Sequence, residues 1–310
     1  MAATATLSID DIRQIEQDHQ LPLYAKRDIA LVRGEGAYLY DSDGKRYLDA
    51  MSNYGVAALG HGDPGFVAAL ADQAATLSTC HQSFYNDVRA SLLQEISTIA
   101  PDGLDRAFLS NSGAEAIEAA LKFARATTGK PKVVAAKRGY HGRTMGALSA
   151  TADVKYRKPF EPLPIPVNHV SFNDLDALAE ALDDETAAVI LEPIQGEAGI
   201  YPADAEYLKQ VRDLTREKGI LLIADEIQTG FRTGAPFVTG AFRLSPDILC
   251  TAKALANGVP IGLTLVTDRI SESMPGGAHG TTFGGNPLAC RAALYTLTTL
   301  RERDLYARNA

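Results

Sequence analysis

The sequence predicts an α/β fold with a mostly parallel sheet covered by helices. Short apolar segments of strand length recur along the chain from about residue 60, and helical segments lie between several of them. Strands that are apolar throughout are buried on both faces, which is typical of parallel sheets. The predicted strands are KVVAAK (132–137), AAVILEP (187–193), ILLIADE (220–226), DILCTAK (247–253) and IGLTLVT (261–267).

The N-terminal part has a different pattern. Ser8 is a capping residue ahead of a short predicted helix. Residues 30–50 read as two or three short antiparallel strands, with a DSDGK turn in which Gly44 is free to take a positive φ. The Pro-rich segment 158–170 is predicted to be an extended surface connection.

Composition excludes several classes of protein. The 310 residues include 30 Lys and Arg against 38 Asp and Glu, a formal net charge of -8, which argues against nucleic acid as the main ligand. No apolar run approaches the roughly 20 residues that span a bilayer, and the N-terminus lacks the pattern of a signal peptide. We therefore expect a cytoplasmic protein with no membrane partner. Its three cysteines are expected to be reduced thiols, and no metal site is expected because neither they nor the histidines have ligand spacing.

Ligands bind at the carboxyl ends of strands in such sheets, so chemistry is expected just after each strand. In LSNSGAEAIEAALKFARATTG (109–129), Gly113 opens a helix whose N-terminus suits a phosphate; a capped helix without a ligand is the simpler alternative. In KRGYHGRT (137–144), Tyr140 offers a ring for stacking and Arg143 a planar fork for a carboxylate. Taken alone, an exposed turn with a solvated Arg is the simpler alternative for that segment.

Two charged residues follow apolar strands. Asp225 follows the apolar residues of ILLIADE, where a buried carboxylate needs a cation or a strong donor such as a protonated pyridine nitrogen. Lys253 follows DILCTA in apolar surroundings that lower the pKa of an amine and make it nucleophilic. A structural Asp and a surface Lys are the alternatives. Thr281 and Thr282, in the loop HGTTFGGNPLAC, can donate to a phosphate or a substrate.

Together these features are the parts that hold pyridoxal 5'-phosphate. The sequence resembles the class III (subgroup II) aminotransferases of the pyridoxal-phosphate fold type I superfamily, most specifically in LIADEIQTGFRTG (222–234) and TAKALANGVPIG (251–262). The resemblance extends over essentially the whole chain. It implies pyridoxal phosphate as cofactor, a transaminase activity and a homodimer.

The resemblance also implies roles for individual residues. Lys253 would carry the cofactor covalently and act as general base and acid, and Asp225 would pair with the ring nitrogen. Gln228 would lie near the ring hydroxyl. Backbone N–H groups of Gly113 and Ala114 would bind the phosphate with help from Thr282 of a second subunit. Substrate and ring contacts would come from Tyr140 (stacking), Arg143 (α-carboxylate), Glu197, Tyr54 and, across the dimer, Thr281.

Within the family, EPIQGEAG (192–199) and LSTCHQSFYN (77–86) resemble the acetylornithine and carrier-protein-linked ornithine/lysine branch. The implied reaction moves the ω-amino group of an N-acylated ornithine or lysine to 2-oxoglutarate, in arginine or lysine biosynthesis, with a small acidic carrier protein as a further partner. In relatives Glu197 pairs with a C-terminal Arg and controls which end of a dicarboxylate enters. Ornithine or 4-aminobutyrate transamination is the alternative.

The resemblance implies three parts of the chain. Residues 1–55 are expected to belong to a small domain, 56–285 to the large cofactor-binding domain, and 286–310 to the start of a helix that links to a C-terminal domain. Members of the family continue beyond this point, so the 310-residue chain is expected to be C-terminally truncated. A chain that binds the cofactor but is inactive is therefore a second alternative.

Overall fold

The computed structural model describes residues 7–309. A capped helix and a small antiparallel sheet form the N-terminal part, as predicted. The Ser8 hydroxyl accepts from the backbone N–H of Asp11 at the start of helix α1 (Ile9–His19). Strands β1, β2 and β3 pair antiparallel in that order, and Gly44 in the turn between β2 and β3 has a φ of 80°. The three strands span Leu31–Glu35, Tyr38–Asp41 and Arg46–Leu48.

The central sheet has seven strands in the order β4-β12-β11-β10-β7-β5-β6. Its pairs are parallel from β6 to β11, whereas β12 runs antiparallel to both of its neighbours, β11 and β4. The predicted α/β fold with a mostly parallel sheet is confirmed. A separate two-stranded ribbon is formed by β8 (Ile194–Gln195) and β9 (Tyr201–Pro202). The sheet strands are β4 Arg106–Ser110, β5 Lys132–Ala136, β6 Val167–Val170, β7 Thr186–Leu191, β10 Leu221–Asp225, β11 Ile248–Thr251 and β12 Gly262–Val266.

Two strands differ from the sequence prediction. Val167–Val170 falls within the predicted Pro-rich surface connection, but these residues pair with β5 as the edge strand β6. The prediction was wrong because strand formation here depends on a non-local partner, and an edge position tolerates the prolines that precede it. Arg106–Ser110, for which the sequence predicted no strand, forms the opposite edge.

Helices cover the sheet on both faces. Helix α5 (Gly113–Thr128) lies on one face, where Ile117, Leu121 and the neighbouring alanines pack against β5, β7, β10 and β11. Leu178 of α8 and Leu208 of α9 pack on the other face. The remaining α-helices are α2 Ser52–Gly55, α3 Pro64–Thr76, α4 Asp87–Ile99, α6 Met145–Ala150, α7 Val154–Arg157, α8 Leu175–Ala181, α9 Ala205–Glu217, α10 Val238–Ala241, α11 Asp268–Ser273, α12 Pro287–Glu302 and α13 Leu305–Asn309.

Helix α12 packs against α3 and α4. Its buried residues, among them Ala293 and Leu297, share one core with Phe66 of α3, Leu92 of α4 and Leu255. The domain limits proposed from the sequence at residues 55 and 285 remain predictions. Within residues 7–309, no helix is long and apolar enough to cross a membrane.

Candidate active site

A cavity of about 660 Å³ opens at the carboxyl edge of the central sheet. Side chains reach it from the ends of β5, β7, β10 and β11 and from the start of α5, because parallel strands deliver their carboxyl ends to one edge. Nine of the residues predicted from the sequence line it: Tyr54, Gly113, Ala114, Tyr140, Arg143, Glu197, Asp225, Gln228 and Lys253. The predicted site residues are therefore largely brought together.

Asp225, at the end of β10, is a buried carboxylate with two hydrogen-bond partners. Its Oδ2 lies 2.7 Å from Nδ1 of His141, and its Oδ1 accepts from the backbone N–H of Ile227 at 3.0 Å. Burial lowers the pKa of His141, but the hydrogen bond and the charge of Asp225 outweigh burial and raise it overall. The His–Asp pair is thus held together at the bottom of the cavity.

Lys253 begins a 3₁₀ turn (Lys253–Ala256) directly after β11. Burial lowers the pKa of its amine, and the charges of Asp225, Glu197 and Glu192 oppose this only in part. The backbone φ of Lys253 is 21°, outside the regions that residues with a side chain favour, and such strain is concentrated at functional sites. An amine with a lowered pKa is neutral more often at neutral pH and is a better nucleophile.

Glu192 follows β7 and joins two segments of the cavity wall. Its Oε1 accepts from the backbone N–H of Tyr140 at 2.8 Å, and its Oε2 accepts from the backbone N–H of Gly196 at 3.1 Å. Burial raises the pKa of this carboxyl to about 7. Glu192 therefore fixes the backbone beside Tyr140 and beside Glu197 through a single side chain.

The N-terminus of α5 faces the cavity. Ser112 caps the helix by accepting from the backbone N–H of Glu115, and Gly113 and Ala114 follow at the first two positions. A side chain at position 113 would come within 2.9 Å of Ile227. A glycine keeps the cavity open at the point where the backbone N–H groups converge on the positive end of the helix.

Tyr140, Arg143 and Tyr156 form an aromatic and cationic wall. The Nε of Arg143 donates to the Tyr140 hydroxyl at 3.3 Å, and its guanidinium carbon lies 4.2 Å from the centre of the Tyr156 ring. The two tyrosine rings meet edge to face at 6.0 Å. This wall offers a ring surface and a planar cation for a carboxylate.

The remaining predicted residues lie around the mouth. Gln228 packs on the backbone of Gly196, where a Cβ atom would come within 2.1 Å of the Gln228 Oε1. Glu197 and Tyr54 are exposed, the latter with 58% of its surface accessible.

Two predicted residues are not in the cavity. Thr281 and Thr282 line a separate pocket, where the Thr281 hydroxyl accepts from the side-chain amide of Asn111 at 3.1 Å.

The neighbouring carboxylate, Glu226, has a different environment from Asp225. It is fully buried and accepts from the backbone N–H groups of Val238 and Thr239, each at 2.8 Å, and from the Thr229 hydroxyl at 2.9 Å. It does not line the cavity. Glu226 therefore fixes the loop between β10 and α10.

Two further residues of the cavity, His141 and Glu192, were not predicted from the sequence to have a role. Glu192 stands directly after the buried strand β7, as Asp225 stands at the end of the buried strand β10. The same pattern that identified Asp225 would have identified it. His141 has a weaker signal, since only the fold shows that its ring is buried against Asp225.

The sequence pattern of the family described as Aminotransferase class-III matches residues 23–310. The chain belongs to the class III aminotransferase family. It is a transaminase that depends on pyridoxal phosphate, and the geometry described above is consistent with this. The prediction made from LIADEIQTGFRTG and TAKALANGVPIG is confirmed at the level of the family, the cofactor and the enzyme class.

Two relatives within the family are similar to this chain at the same level of identity. An acetylornithine aminotransferase from Archaeoglobus fulgidus is 46% identical over 95% of this chain and 78% of its own length. A [LysW]-aminoadipate semialdehyde transaminase from Deinococcus radiodurans is 46% identical over 94% of this chain and 68% of its own length. Among solved structures, the ornithine aminotransferase of Toxoplasma gondii superposes with a TM-score of 0.91 at 35% identity, covering 97% of this chain and 74% of that one.

The cavity of this class III aminotransferase fits pyridoxal phosphate on its own chemistry. The N-terminus of α5 suits the phosphate, and the glycine at 113 leaves room for it. The buried Asp225 suits a protonated ring nitrogen, and the partly buried Lys253 suits covalent attachment of a carbonyl carbon. The arrangement supports chemistry in which a proton is taken from one carbon and returned to another.

Proposed function

We propose that this aminotransferase transfers the ω-amino group of an N-acylated ornithine or lysine to 2-oxoglutarate, giving a semialdehyde and glutamate, in arginine or lysine biosynthesis. The observation that carries the proposal is the equal similarity, 46%, to an acetylornithine aminotransferase and to a [LysW]-aminoadipate semialdehyde transaminase. Both names describe diamino-acid metabolism, and both relatives match more than nine-tenths of this chain.

Lys253 is the proposed base and acid of the reaction. When bound, pyridoxal phosphate supplies a ring that accepts electrons from the carbon that loses its proton. The Lys253 amine takes that proton and returns it to the adjacent carbon, which requires a neutral amine at working pH. Burial of Lys253 lowers the pKa of its amine in the required direction.

Asp225 is proposed to keep the cofactor ring nitrogen protonated. A carboxylate that is 3% exposed has little competition from water, so its charge acts strongly on a cation beside it. The Nδ1 of His141 lies 2.7 Å from Oδ2 of this carboxylate. His141 therefore fixes the orientation in which Asp225 faces the cavity.

The phosphate is proposed to bind at the start of α5. Backbone N–H groups of Gly113 and Ala114 are free to donate there, because the first N–H groups of a helix have no partner within it. Thr282 is proposed to add a donor from a second subunit. We therefore propose a homodimer, since Thr282 lies outside the cavity of its own chain.

Substrate and ring contacts are proposed for the aromatic wall. Tyr140 stacks on the cofactor ring, Gln228 lies near the ring hydroxyl, and Arg143 binds the α-carboxylate with its two-donor fork. The Arg143–Tyr140 hydrogen bond of 3.3 Å holds the clamp beside the stacking ring. Both line the cavity that Lys253 enters.

Glu197, Tyr54 and Thr281 are proposed to select the substrate. A transaminase of this type accepts an ω-amine in one half-reaction and the α-amine of glutamate in the other. The exposed Glu197 repels the second carboxylate of glutamate unless a cation neutralises it, and this makes it suitable for distinguishing the two. Tyr54 lines the mouth, and Thr281 is proposed to reach the substrate from the second subunit.

A substrate panel tests the proposal. We expect kcat/KM for N-acetylornithine with 2-oxoglutarate to exceed that for free ornithine and for 4-aminobutyrate. Preference for free ornithine would instead favour the activity named for the Toxoplasma gondii structure. If protein that has bound the cofactor turns over none of the three substrates, the alternative of an inactive chain is supported.

We further propose that the enzyme works in the cytoplasm.

A further inference from the structure

The loop of residues 281–285, which we call the threonine loop, has an exposed tip and a buried base. Thr282 and Phe283 are exposed at the tip, whereas Gly284 and Gly285 are buried at the base. The tip therefore faces away from the core of its own chain. Its orientation is set by the contacts of the base, because the tip itself is surrounded by solvent.

The buried base lies directly on the end of strand β4. A Cβ atom at position 284 would come within 2.4 Å of the Leu109 carbonyl oxygen and within 2.9 Å of the Cα of Ser110, so the backbone approach requires a glycine. Gly285 has a φ of 69°, in the left-handed region that favours glycine. The path of the loop is therefore restricted both by contact and by backbone conformation.

Two side chains from outside the loop donate to carbonyl groups of this base. The side-chain amide of Gln82 donates to the carbonyl of Gly284 at 2.9 Å and to that of Leu109 at 3.2 Å. The Nε of Arg89, on helix α4, donates to the carbonyl of Gly285 at 2.9 Å. Gln82 thus ties the threonine loop to β4, and Arg89 ties it to α4.

Arg89 is a buried cation that backbone carbonyls hold in place. It is 8% exposed, and its other two nitrogens donate to the carbonyls of Phe84 and Cys80, each at 3.1 Å. Burying a charge is costly unless hydrogen bonds compensate it, and here three carbonyls do so. The planar guanidinium therefore fixes three parts of the chain relative to one another, namely α4, residues 80–84 and the threonine loop.

The threonine loop is also tied to the helix start proposed to bind phosphate in its own chain. The Thr281 hydroxyl accepts from the side-chain amide of Asn111 at 3.1 Å and from the backbone N–H of Gly284 at 3.2 Å. Asn111 is adjacent to Ser112, the residue that caps α5. The first threonine of the loop is thus held from two directions, and the exposed Thr282 follows directly after it.

We propose that Arg89 and Gln82 are positioning residues, which hold the threonine loop so that Thr282 donates to the cofactor phosphate of a second subunit. The inference rests on the proposed function, which places Thr282 at that phosphate. Ordering a loop at the moment of binding costs free energy, so a loop that is already held in place binds more tightly. Arg89 and Gln82 therefore raise the affinity for the cofactor without touching it.

Hydrogen exchange of the cofactor-free protein tests whether the two residues hold the loop. Arg89→Met and Gln82→Met remove the donors but keep an unbranched side chain. We expect backbone N–H groups within residues 281–286 to exchange at least about tenfold faster in both variants. The matched control is Arg212→Met, because Arg212 is also largely buried but pairs with Asp247 at 2.5 Å and lies on α9. The control should keep the wild-type exchange of this loop.

Titration of the cofactor-free protein with pyridoxal phosphate tests whether the loop acts on binding. Thr282→Val should raise the apparent Kd about tenfold, since it removes one hydrogen bond to a charged group. Arg89→Met and Gln82→Met should each raise the Kd about threefold or more, up to the effect of Thr282→Val. The control Arg212→Met should keep the wild-type Kd.

The double variants Arg89→Met/Thr282→Val and Gln82→Met/Thr282→Val distinguish positioning from a general structural role. Residues that act through one contact are not additive, so each double variant should stay within about twofold of the Kd of Thr282→Val alone. Sedimentation of each variant confirms that the wild-type oligomeric state is kept. Because Gln82 is exposed, the Gln82 variants serve where Arg89→Met does not fold.

The outcomes separate this inference from the proposed function. Unchanged loop exchange in Arg89→Met and Gln82→Met, or Kd effects that multiply in the double variants, overturns the inference and leaves the Thr282 contact intact. An unchanged Kd in Thr282→Val overturns the proposed Thr282 contact and the inference together. In that case the substrate panel still tests the proposed reaction independently.

Discussion

The Nδ1 of His141 lies 2.7 Å from the Oδ2 of Asp225, and the two side chains are 1% and 3% exposed. The second oxygen of Asp225 is engaged by the backbone N–H of Ile227 at 3.0 Å. Among the described residues, the other ring nitrogen of His141 has no hydrogen-bond partner. Both carboxylate oxygens of Asp225 therefore have a hydrogen-bond partner. This explains why a charged residue is tolerated at the buried end of the strand, at the bottom of the cavity.

His141→Phe keeps a planar ring and removes the donor to Asp225. Hydrogen bonds to charged groups contribute about 1.5–3 kcal/mol, so we expect kcat to fall by about 10- to 100-fold and the pH profile of kcat to shift. Steady-state kinetics across pH would measure both. His61→Phe is the matched control, because His61 pairs with Asp49 at the same 2.7 Å outside the cavity. Equal kcat in the two variants would refute the role of His141.

Asp225→Asn removes the negative charge at nearly constant shape. We expect kcat to fall by at least about 100-fold, the size of effect seen when a single preorganised electrostatic partner is removed. The free energy of unfolding should change much less, because the amide keeps one acceptor for the N–H of Ile227. Kinetics and urea unfolding of the same preparation would separate the two effects. A variant with normal kcat would show that the ring nitrogen has another partner.

Glu226→Gln changes the adjacent carboxylate. It should lower the free energy of unfolding more than kcat, which is the reverse of the result expected for Asp225→Asn. Glu226 accepts hydrogen bonds from the backbone N–H groups of Val238 and Thr239 at the start of α10 and from the Thr229 hydroxyl in the preceding loop. The amide of a glutamine would place a donor where one of these donors already points. We expect the free energy of unfolding to fall by about 1–3 kcal/mol, with kcat of the folded enzyme far less affected than in Asp225→Asn. Urea unfolding together with activity per bound cofactor would check this. A large loss of kcat at unchanged stability would contradict it.

The strands of this fold were predictable from the sequence where burial alone decides them. β7, β10, β11 and β12 are buried throughout, so short runs of mostly apolar residues were a sufficient signal. The edge strands β4 and β6 were missed because each has exposed or half-buried residues and is stabilised by a single neighbour. Their pairing is a non-local property that a local pattern does not carry.

The candidate site was also predictable from the sequence only where a local pattern marks a residue. Asp225 and Lys253 stood out because a charge after an apolar strand needs an explanation, and the ordered set of motifs then supplied one. The hydrogen bond between His141 and Asp225 joins residues 84 positions apart, and only the fold brings them together. Thr281 and Thr282 were predicted to act across a dimer, and their absence from the cavity of their own chain leaves that prediction to be tested.

Lys253→Ala should abolish transamination and the visible absorbance of the attached cofactor, since no other lysine lines the cavity within the described residues. Absorbance spectra before and after reduction with borohydride would measure the attachment. Lys132→Ala is the control, because Lys132 is also partly buried but pairs with Asp183 at 2.5 Å at the opposite end of β5. Covalent attachment that survives in the Lys253 variant would identify a different lysine.

Glu192→Gln tests a carboxylate that burial keeps partly protonated. Burial raises the pKa of Glu192 from its ordinary value of 4.5 to about 7 in the folded enzyme. Between these values the folded state holds a proton that the unfolded state has lost, so the free energy of unfolding falls as pH rises. Below the lower value both states are protonated, and above the higher value both are charged, so the slope from this group is confined to that window.

The wild type should therefore lose stability relative to Glu192→Gln as pH rises from about 4.5 to about 7, by about 2–3 kcal/mol. The glutamine has no proton to release, and it destabilises by a constant amount because its amide cannot accept from both Tyr140 and Gly196. Urea unfolding of both cofactor-free proteins across this range would measure the difference. Parallel curves for the two proteins would mean that Glu192 is charged at all these pH values and that the backbone N–H groups alone compensate its burial.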